Sequence, residues 1–208
     1  MIAILLKVLA AYLLGSINGS LVLGRLRHFD IRNEGSGNAG GTNALRTHGK
    51  WFALGVILID VLKAVLAAGW LPGLGGPSPG AAQWVALGCG AAVVIGHCYP
   101  VFFGFRGGKG MATLVGVYGV LSPAVLLVVA SSWLAALGLF GYVGLATMIA
   151  AAAAPIYLAI GGPASAGPMV LFSLLMAAFI AFTHRGNIER LQRGAEPKMF
   201  PGLLGSRR

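Results

Sequence analysis

The chain has 208 residues, of which 57% are hydrophobic and only 10% are charged, and its formal net charge is +10. This composition lies outside the range of soluble globular proteins and predicts an integral membrane protein. The positive charge comes without a basic helix, a soluble module or an aromatic stacking platform, so no nucleic-acid partner is predicted.

Positive charge is concentrated in three polar segments, residues 25–50 (the first segment), 102–110 (the second) and 184–208 (the third). They hold thirteen of the fifteen Lys and Arg residues. Because basic loops tend to stay in the cytoplasm, all three are predicted on the cytoplasmic face of one membrane domain spanning residues 1–208. Each segment also carries a Gly- or Asn-bearing motif, which favours one shared, phosphate-sized anionic ligand.

Segments on one face require an even number of crossings between any two of them. The turn-rich stretch from Pro72 to Gly80 divides residues 51–101 into two crossings. The charge-free run from Met111 to Thr183 is long enough for four short spans. Its predicted breaks lie near Ser122-Pro123, Gly138 to Gly144 and Gly161 to Pro163. With a first span in residues 1–24, we predict an all-α, polytopic protein with about seven transmembrane helices, its N-terminus outside and its C-terminus cytoplasmic.

Inside the apolar stretches, the spacings of three residue pairs indicate which contacts they can make. Gly15 and Gly19 are spaced as on a close-packing helix face, although small residues are also simply common in such spans. Asp60 and Lys63 are three apart and are predicted to pair on one helix face, with a structural ion pair favoured over a substrate role. Cys89 and Cys98, nine apart on one helix, are too distant for a disulfide and are predicted to pack inertly.

The first segment contains four glycines between Arg32 and Arg46, which allow consecutive backbone N–H groups to turn toward one anion. Ser36, Thr42 and Asn43 add side-chain donors. We therefore favour phosphate binding over a merely flexible loop. The dinucleotide-type glycine spacing in residues 35–40 is read as accidental, because no βαβ unit surrounds it.

The second segment places Lys109 among Gly107, Gly108 and Gly110, so that the backbone can approach a phosphate while the ammonium supplies a point charge. It does not have the residues of a Walker loop. His97, just upstream, is more often a structural histidine than a ligand at such a position.

The third segment should continue the last span as a helical turn. His184, Asn187 and Arg190 recur there at three-residue spacing and are predicted to share one face. Site roles are predicted for His184 and Asn187. Glu189 and Glu196 could instead anchor neighbouring basic residues.

The whole chain has only five carboxylates, and with the four scattered histidines they form no predicted metal site, so neither a metal nor a cofactor is expected. Cationic side chains and backbone donors remain. They suit the binding of two anionic substrates and the stabilisation of a developing oxyanion.

Three motifs in order carry a resemblance to a known family. They are Gly-Ser-Gly-Asn-x-Gly-x-Thr-Asn-x-x-Arg from Gly35, Gly-His-x-x-Pro-Val-Phe-Phe-Gly-Phe-Arg-Gly-Gly-Lys-Gly from Gly96, and His-Arg-x-Asn-Ile-x-Arg-Leu from His184. Over nearly the whole chain, the sequence resembles the bacterial membrane glycerol-3-phosphate acyltransferases that use acyl phosphate, the PlsY family.

The resemblance implies acyl transfer from acyl phosphate to the sn-1 hydroxyl of glycerol 3-phosphate, giving lysophosphatidic acid and phosphate as the first step of phospholipid synthesis. It implies a bacterial inner membrane location with a cytoplasmic active site, contact with membrane lipid, and no cofactor. A contact with the soluble phosphate acyltransferase that makes acyl phosphate is left open. The implied catalytic residues are Ser36, Arg46, Lys109, His184 and Asn187. The implied substrate-binding residues are Asn38, Gly40, Gly41, Thr42, Asn43, His97, Gly107, Gly108 and Gly110.

Because no carboxylate is placed as a general base, we expect the leaving acyl phosphate to take the hydroxyl proton itself. One position departs from the family pattern, since Gly144 stands where many members have a serine that helps line the site. Thr147 or a water could substitute for the lost contact.

Two other functions fit parts of the sequence. A transporter for an organic phosphate would also use basic, glycine-rich loops, although its halves usually resemble each other and its site lies at the membrane midplane. An acyltransferase with a thioester donor would use a His-x-x-x-x-Asp pair, and here His184 has Glu189 at that spacing.

Overall fold

The structure is a computed structural model, and it describes residues 1–76, 81–161 and 166–203. Over these residues the chain is helical and contains no β-strand, which confirms the predicted all-α class. The α-helices are α1 (Ile2–Gly15), α2 (Gly19–Leu26), α3 (Gly41–Val65), α4 (Ala82–Cys98), α5 (Met111–Leu121), α6 (Pro123–Phe140), α7 (Val143–Gly161), α8 (Gly167–Thr183) and α9 (Arg185–Gln192). Short 3-10 helices cover Ile31–Asn33, Leu71–Gly73 and Val101–Phe103, and a π-helical turn covers Leu66–Trp70.

Several helices are long and apolar enough to cross a bilayer. Within the described residues these are Gly41–Gly73, Ala82–Phe103, Pro123–Phe140 and Val143–Gly161. Two bent pairs raise the number from four to six if each is one span. They are α1 with α2, bent by 49°, and α8 with α9, bent by 58°. The chain is therefore a multi-pass membrane protein.

The number of spans and their orientation stay predictions. Helix α5 would be the seventh span, but its 11 residues rise only about 16 Å against a hydrocarbon core of ~30 Å. The predicted breaks at Ser122 and between Phe140 and Val143 are confirmed. Helix α7 ends at Gly161, where the third break was predicted, and residues 162–165 lie outside the described residues, as do residues 77–80 of the predicted external turn.

Two compact units make up the chain, Met1–Leu121 (unit 1) and Ser122–Arg208 (unit 2). The single domain expected for residues 1–208 stays a prediction. Unit 1 therefore contains the first and second segments, and unit 2 contains the third.

Unit 1 is held by close backbone contacts at glycines of α1, α2 and α4. A Cβ on Gly15 would overlap the Val93 carbonyl of α4, and one on Gly19 would lie 2.6 Å from the Val56 carbonyl oxygen of α3. Close packing, one of the two alternatives that the sequence left open, is therefore observed at both glycines. The two glycines do not share one helix, however, because the chain breaks between α1 and α2 at residues 16–18.

Unit 2 is built from α6 to α9, and its helix ends follow local rules. Ser122 caps α6 by accepting a hydrogen bond from the Val125 amide, with Pro123 in the first turn. Helix α6 ends at Gly141, whose φ of 79° favours glycine. Buried alanines at 146, 150, 151 and 154 let α7 pack closely between α6 and α8.

Candidate active site

The first segment is folded by a buried asparagine at the start of α3. Asn43 is 2% exposed. Its Oδ1 accepts a hydrogen bond from the Ser36 amide at 3.0 Å, and its Nδ2 donates to the carbonyls of Glu34 at 3.0 Å and Ile31 at 3.3 Å. The side chain thus ties the loop that carries Ser36 to the first turn of α3. Direct substrate binding by Asn43 stays a prediction.

The N-terminus of α3 supplies backbone donors beside this loop. Gly40 is its N-cap residue, and no side chain of the described residues caps it. The first amides of a helix, here those of Gly41 and Thr42, lack intrahelical acceptors and lie at the positive end of the helix dipole. Arg46 is exposed one turn later. This arrangement is typical of a phosphate site.

The second segment folds back onto the end of α4. The amides of Gly107 and Gly108 donate to the carbonyls of Cys98 at 3.0 Å and His97 at 3.1 Å. Gly110, with a φ of 94°, then begins α5 by accepting from the Leu114 amide at 2.9 Å. Lys109 lies between Gly108 and Gly110, is partly exposed, and comes just before the N-terminus of α5.

The first and second segments meet at Gly108. A Cβ on Gly108 would clash with the His97 ring on one side and lie 2.7 Å from the Ala39 carbonyl oxygen on the other. The side-chain amide of Asn18 donates to the carbonyls of Ala39 at 3.1 Å and His97 at 3.4 Å. The structure therefore brings the predicted residues 38–43 and 107–110 together in unit 1.

Arg32 forms a second link between these segments. Its Nη1 donates to the carbonyls of Phe103 at 2.8 Å and Arg106 at 3.1 Å, while Nε and Nη2 donate to the Asp30 carboxylate. Hydrogen bonding to Arg32 lowers the pKa of Asp30 below its ordinary value, and the same bond raises the pKa of Arg32. Arg32 thus holds the backbone of the second segment.

This link should weaken in acid. Because the pKa of Asp30 is lowered from 3.8 in the folded protein, its contribution to stability is present above that value and is lost as the pH falls through the lowered pKa. We expect Asp30→Asn to cost up to about 1 kcal/mol at neutral pH, as for a partly exposed ion pair. Thermal denaturation at pH 7 and pH 3 measures this. A difference from wild type that is equal at both pH values would contradict it.

A buried polar cluster of three side chains, Asp60, Lys63 and His97, adjoins the contact between the first and second segments. Lys63 Nζ is 2.9 Å from Asp60 Oδ1, so the predicted ion pair is confirmed. His97 Nδ1 lies 3.2 Å from Asp60 Oδ1 and 3.1 Å from Lys63 Nζ. The three residues are at most 5% exposed. Substrate binding by His97 stays a prediction.

In unit 2 the third segment continues as α9, which confirms the predicted helical turn. His184 Nδ1 is 2.8 Å from the Ile180 carbonyl oxygen. Asn187 Nδ2 and Arg190 Nε each lie 2.7 Å from a different oxygen of Glu196. The prediction that Glu196 anchors a neighbouring basic residue is confirmed, and the carboxylate also holds Asn187. That this segment joins the other two at one ligand stays a prediction.

Gly144 makes room for Asn187. A Cβ on Gly144 would lie 2.6 Å from Asn187 Nδ2 and 2.9 Å from its Cβ, so the space that a serine would need is filled. The Thr147 hydroxyl donates to the Val143 carbonyl at 2.8 Å and is 3.2 Å from Trp133 Nε1.

We expect Gly144→Ala to lower stability by about 1–3 kcal/mol by overpacking, and to lower activity by displacing Asn187. The matched control is Gly138→Ala, because a Cβ there meets nothing within 4 Å and should stabilise α6 by about 0.5–1 kcal/mol. Denaturation curves and kcat/KM of both variants measure these effects. Equal stability of the two variants would show that the Gly144–Asn187 contact is unimportant.

Sequence reasoning missed the role of Asn18. The available signal was an amide residue inside an apolar span, where a polar side chain is costly unless it has partners. Asn18 is fully buried, and its Oδ1 also caps α2 by accepting from the Leu21 amide at 3.2 Å. Its two distant acceptors, Ala39 and His97, could not be read from spacing.

The two cysteines carry free thiols. Cys89 and Cys98 are both buried in α4 and unbridged, which confirms the prediction for this pair.

These features define a class of protein, a multi-pass helical membrane protein in which two glycine-rich basic segments meet beside helix N-termini. A family model described as glycerol-3-phosphate acyltransferase matches residues 5–194. The chain belongs to the glycerol-3-phosphate acyltransferase family, and the resemblance found from its motifs is confirmed.

Individual relatives and solved structures point to the same family. The glycerol-3-phosphate acyltransferase of Gloeobacter violaceus is 41% identical over 191 residues, covering 91% of this chain and 92% of the relative. That of Aquifex aeolicus is 42% identical, covering 92% and 97%. The crystal structure of PlsY (YgiH), an integral membrane glycerol 3-phosphate acyltransferase, in its glycerol 3-phosphate form has a TM-score of 0.81 at 38% identity, covering 95% of this chain and 96% of that one. Its lysophosphatidic acid form has a TM-score of 0.80 at 36% identity.

Proposed function

We propose that this protein transfers a fatty acyl group from acyl phosphate to the sn-1 hydroxyl of glycerol 3-phosphate. The hydroxyl oxygen attacks the acyl carbonyl carbon, the bond from that carbon to the phosphate oxygen breaks, and phosphate leaves. The product is 1-acylglycerol 3-phosphate, the lysophosphatidic acid with which phospholipid synthesis begins. Family membership supports the acylation of glycerol 3-phosphate.

One observation carries the proposal, the meeting of the first and second segments at Gly108 and Ala39. Each segment contains a helix N-terminus, at Gly40 or Gly110, and each carries a cation, Arg46 or Lys109. Two phosphorylated reactants need two sets of anion donors held at a fixed separation. We assign the loop of residues 40–43 to the acyl phosphate, and Lys109 to the second phosphate; the Gly107 and Gly108 amides hold the turn that carries Lys109 by donating to Cys98 and His97.

The carboxylates of unit 1 support proton transfer to the leaving phosphate. Asp30 pairs with Arg32, Asp60 pairs with Lys63, and Glu34 lies 2.8 Å from His48 Nε2. Asp30 is a weak base because hydrogen bonding to Arg32 stabilises its charged form, and the Glu34 and Asp60 carboxylates already contact other side chains. In the proposed mechanism the hydroxyl proton therefore passes to the departing phosphate, while Ser36 and backbone amides stabilise the oxyanion.

We propose His184 and Asn187 of unit 2 as substrate-contacting residues. Asn187 is oriented by Glu196, and a neutral His184 that donates from Nδ1 to Ile180 presents Nε2 as an acceptor. The pH profile of kcat/KM separates this role from general-base catalysis. Under the proposal, His184→Gln lowers the rate without removing the ascending, acid-side limb of the profile, whereas selective loss of that limb would make His184 the base.

The donor is tested directly by supplying purified protein and glycerol 3-phosphate with acyl phosphate, acyl-CoA or acyl carrier protein thioester separately. We expect 1-acylglycerol 3-phosphate from acyl phosphate alone. Turnover with a thioester, and none with acyl phosphate, would support the thioester mechanism through His184 and Glu189. Uptake of labelled glycerol 3-phosphate into sealed vesicles without a lipid product would identify a transporter.

We further propose that the protein lies in a bacterial inner membrane with its active site on the cytoplasmic face, the N-terminus outside and the C-terminus inside. The basic segments support this orientation through the positive-inside tendency. Labelling single introduced cysteines at residues 36 and 109 from each side of oriented vesicles tests it. Labelling of the two positions from opposite sides would exclude a shared site.

A further inference from the structure

The chain break between α1 and α2 lies against the buried polar cluster. Residues 16–18 interrupt a span, and the backbone there cannot complete helical hydrogen bonds. Lys63 Nζ donates to the carbonyls of Gly15 and Ile17, both at 2.9 Å, and the Gly19 amide donates to Asp60 Oδ1 at 3.1 Å. Unsatisfied backbone groups are costly in a membrane. The Asp60–Lys63 pair therefore stabilises this break by bonding backbone groups that have no helical partner.

The break presents Asn18 to both glycine-rich segments. Both polar atoms of one buried amide are used. Oδ1 caps α2, while Nδ2 donates to Ala39 of the first segment and to His97, which precedes the second. The His97 ring, in contact with Asp60 and Lys63 through Nδ1, lies against Gly108 with its Nε2 edge. A continuous path of contacts thus joins the ion pair to both segments.

We propose that Asn18 and His97, supported by the Asp60–Lys63 pair, are positioning residues that set the separation of the first and second segments. The inference rests on the proposed function, because the separation matters when two phosphorylated reactants must be held in reacting geometry. Asn18 and His97 act through the backbone of Ala39 and Gly108. Misplacement of reacting groups by about 1 Å can cost 10²-fold in rate.

Asn18→Ser separates positioning from helix capping. Serine is as good an N-cap residue as asparagine, so α2 should keep its cap. It has no amide group to reach Ala39 and His97. We expect kcat to fall roughly 10- to 100-fold, with a melting temperature within a few degrees of wild type. Hydrogen exchange in the unliganded protein should become faster in peptides covering residues 38–41 and 106–110.

His97→Gln is the second variant, and it keeps the result interpretable if Asn18→Ser fails to fold. It removes the ring edge that lies against Gly108, so faster exchange should concentrate in residues 106–110. The matched control is Lys7→Met, which removes a different lysine–carbonyl bond of unit 1, the 2.7 Å contact from Lys7 Nζ to Pro72. The control should lower the melting temperature while kcat and exchange at both segments stay at wild-type values.

The outcomes are distinct. Faster exchange at the two segments with reduced kcat and near-normal melting supports the inference. Wild-type exchange and kinetics in both variants would overturn it while leaving the proposed function in place. A proportional loss of melting temperature and activity in the control and both variants would also overturn it, since the cluster would then be merely structural. Absence of acyl transfer by wild-type protein refutes the proposed function, and the exchange measurement still tests the positioning.

Discussion

Replacing Lys109 by alanine is expected to lower kcat/KM by about 100-fold or more, as when a charge-stabilising donor is removed from a reacting centre. Under the proposed function, Lys109 supplies the positive charge beside the second phosphate. Alanine leaves no cation there. Steady-state kinetics with acyl phosphate and glycerol 3-phosphate measure the loss, and a fluorescence-monitored size-exclusion profile checks membrane insertion and folding.

Arg46→Ala should produce a loss of similar size, because Arg46 is an exposed cation in the first turns of α3, near the proposed phosphate site. The matched control is Arg193→Ala, which removes the same charge from the exposed tail of unit 2. The control should retain near-normal kinetics. Normal kinetics in both the Lys109 and Arg46 variants would remove these residues from the site.

Gly108→Ala is the other substitution with a large expected effect. The new methyl group would overlap the His97 ring and lie 2.7 Å from the Ala39 carbonyl oxygen, and the carbonyl belongs to backbone that cannot rotate away. We expect a stability loss of about 1–3 kcal/mol from overpacking and a fall of roughly 100-fold in kcat/KM as the segments separate. Thermal denaturation and steady-state kinetics measure the two effects.

The matched control for Gly108→Ala is Gly73→Ala in the same unit. A Cβ on Gly73 meets nothing within 4 Å, so stability and kinetics should change little. If Gly108→Ala behaves like this control, the close approach of the two segments is not required for activity.

The helix boundaries could be predicted wherever the signal is local. Ser122-Pro123 stops one helix and caps the next, and Gly141 adopts a left-handed conformation at the end of α6. Both effects depend on a few adjacent residues. The break at residues 16–18 could not be predicted, because it depends on Lys63 and Asp60, more than forty positions away, to satisfy its backbone groups. Length and hydrophobicity alone therefore predict one unbroken helix in residues 1–24.

The candidate site was predictable in its residue types and only partly in its contacts. Glycines, cations and amides at the three motifs indicated anion binding. The pairing of Asp60 with Lys63 followed from helical spacing. Arg32 shows the limit of such reasoning, since the sequence does not reveal that its guanidinium bonds Asp30 and two carbonyls of the second segment.

By itself, the sequence determined that this is a helical membrane protein of the glycerol-3-phosphate acyltransferase family, because hydrophobicity, charge placement and motif order are all properties of a linear chain. Only the tertiary structure decided that Gly108 is wedged between His97 and Ala39, and that Asn18 bonds the backbone on both sides of that contact. Such contacts depend on how buried helices pack in three dimensions. Side chains far apart in sequence become neighbours there because a buried polar group is stable only beside a partner.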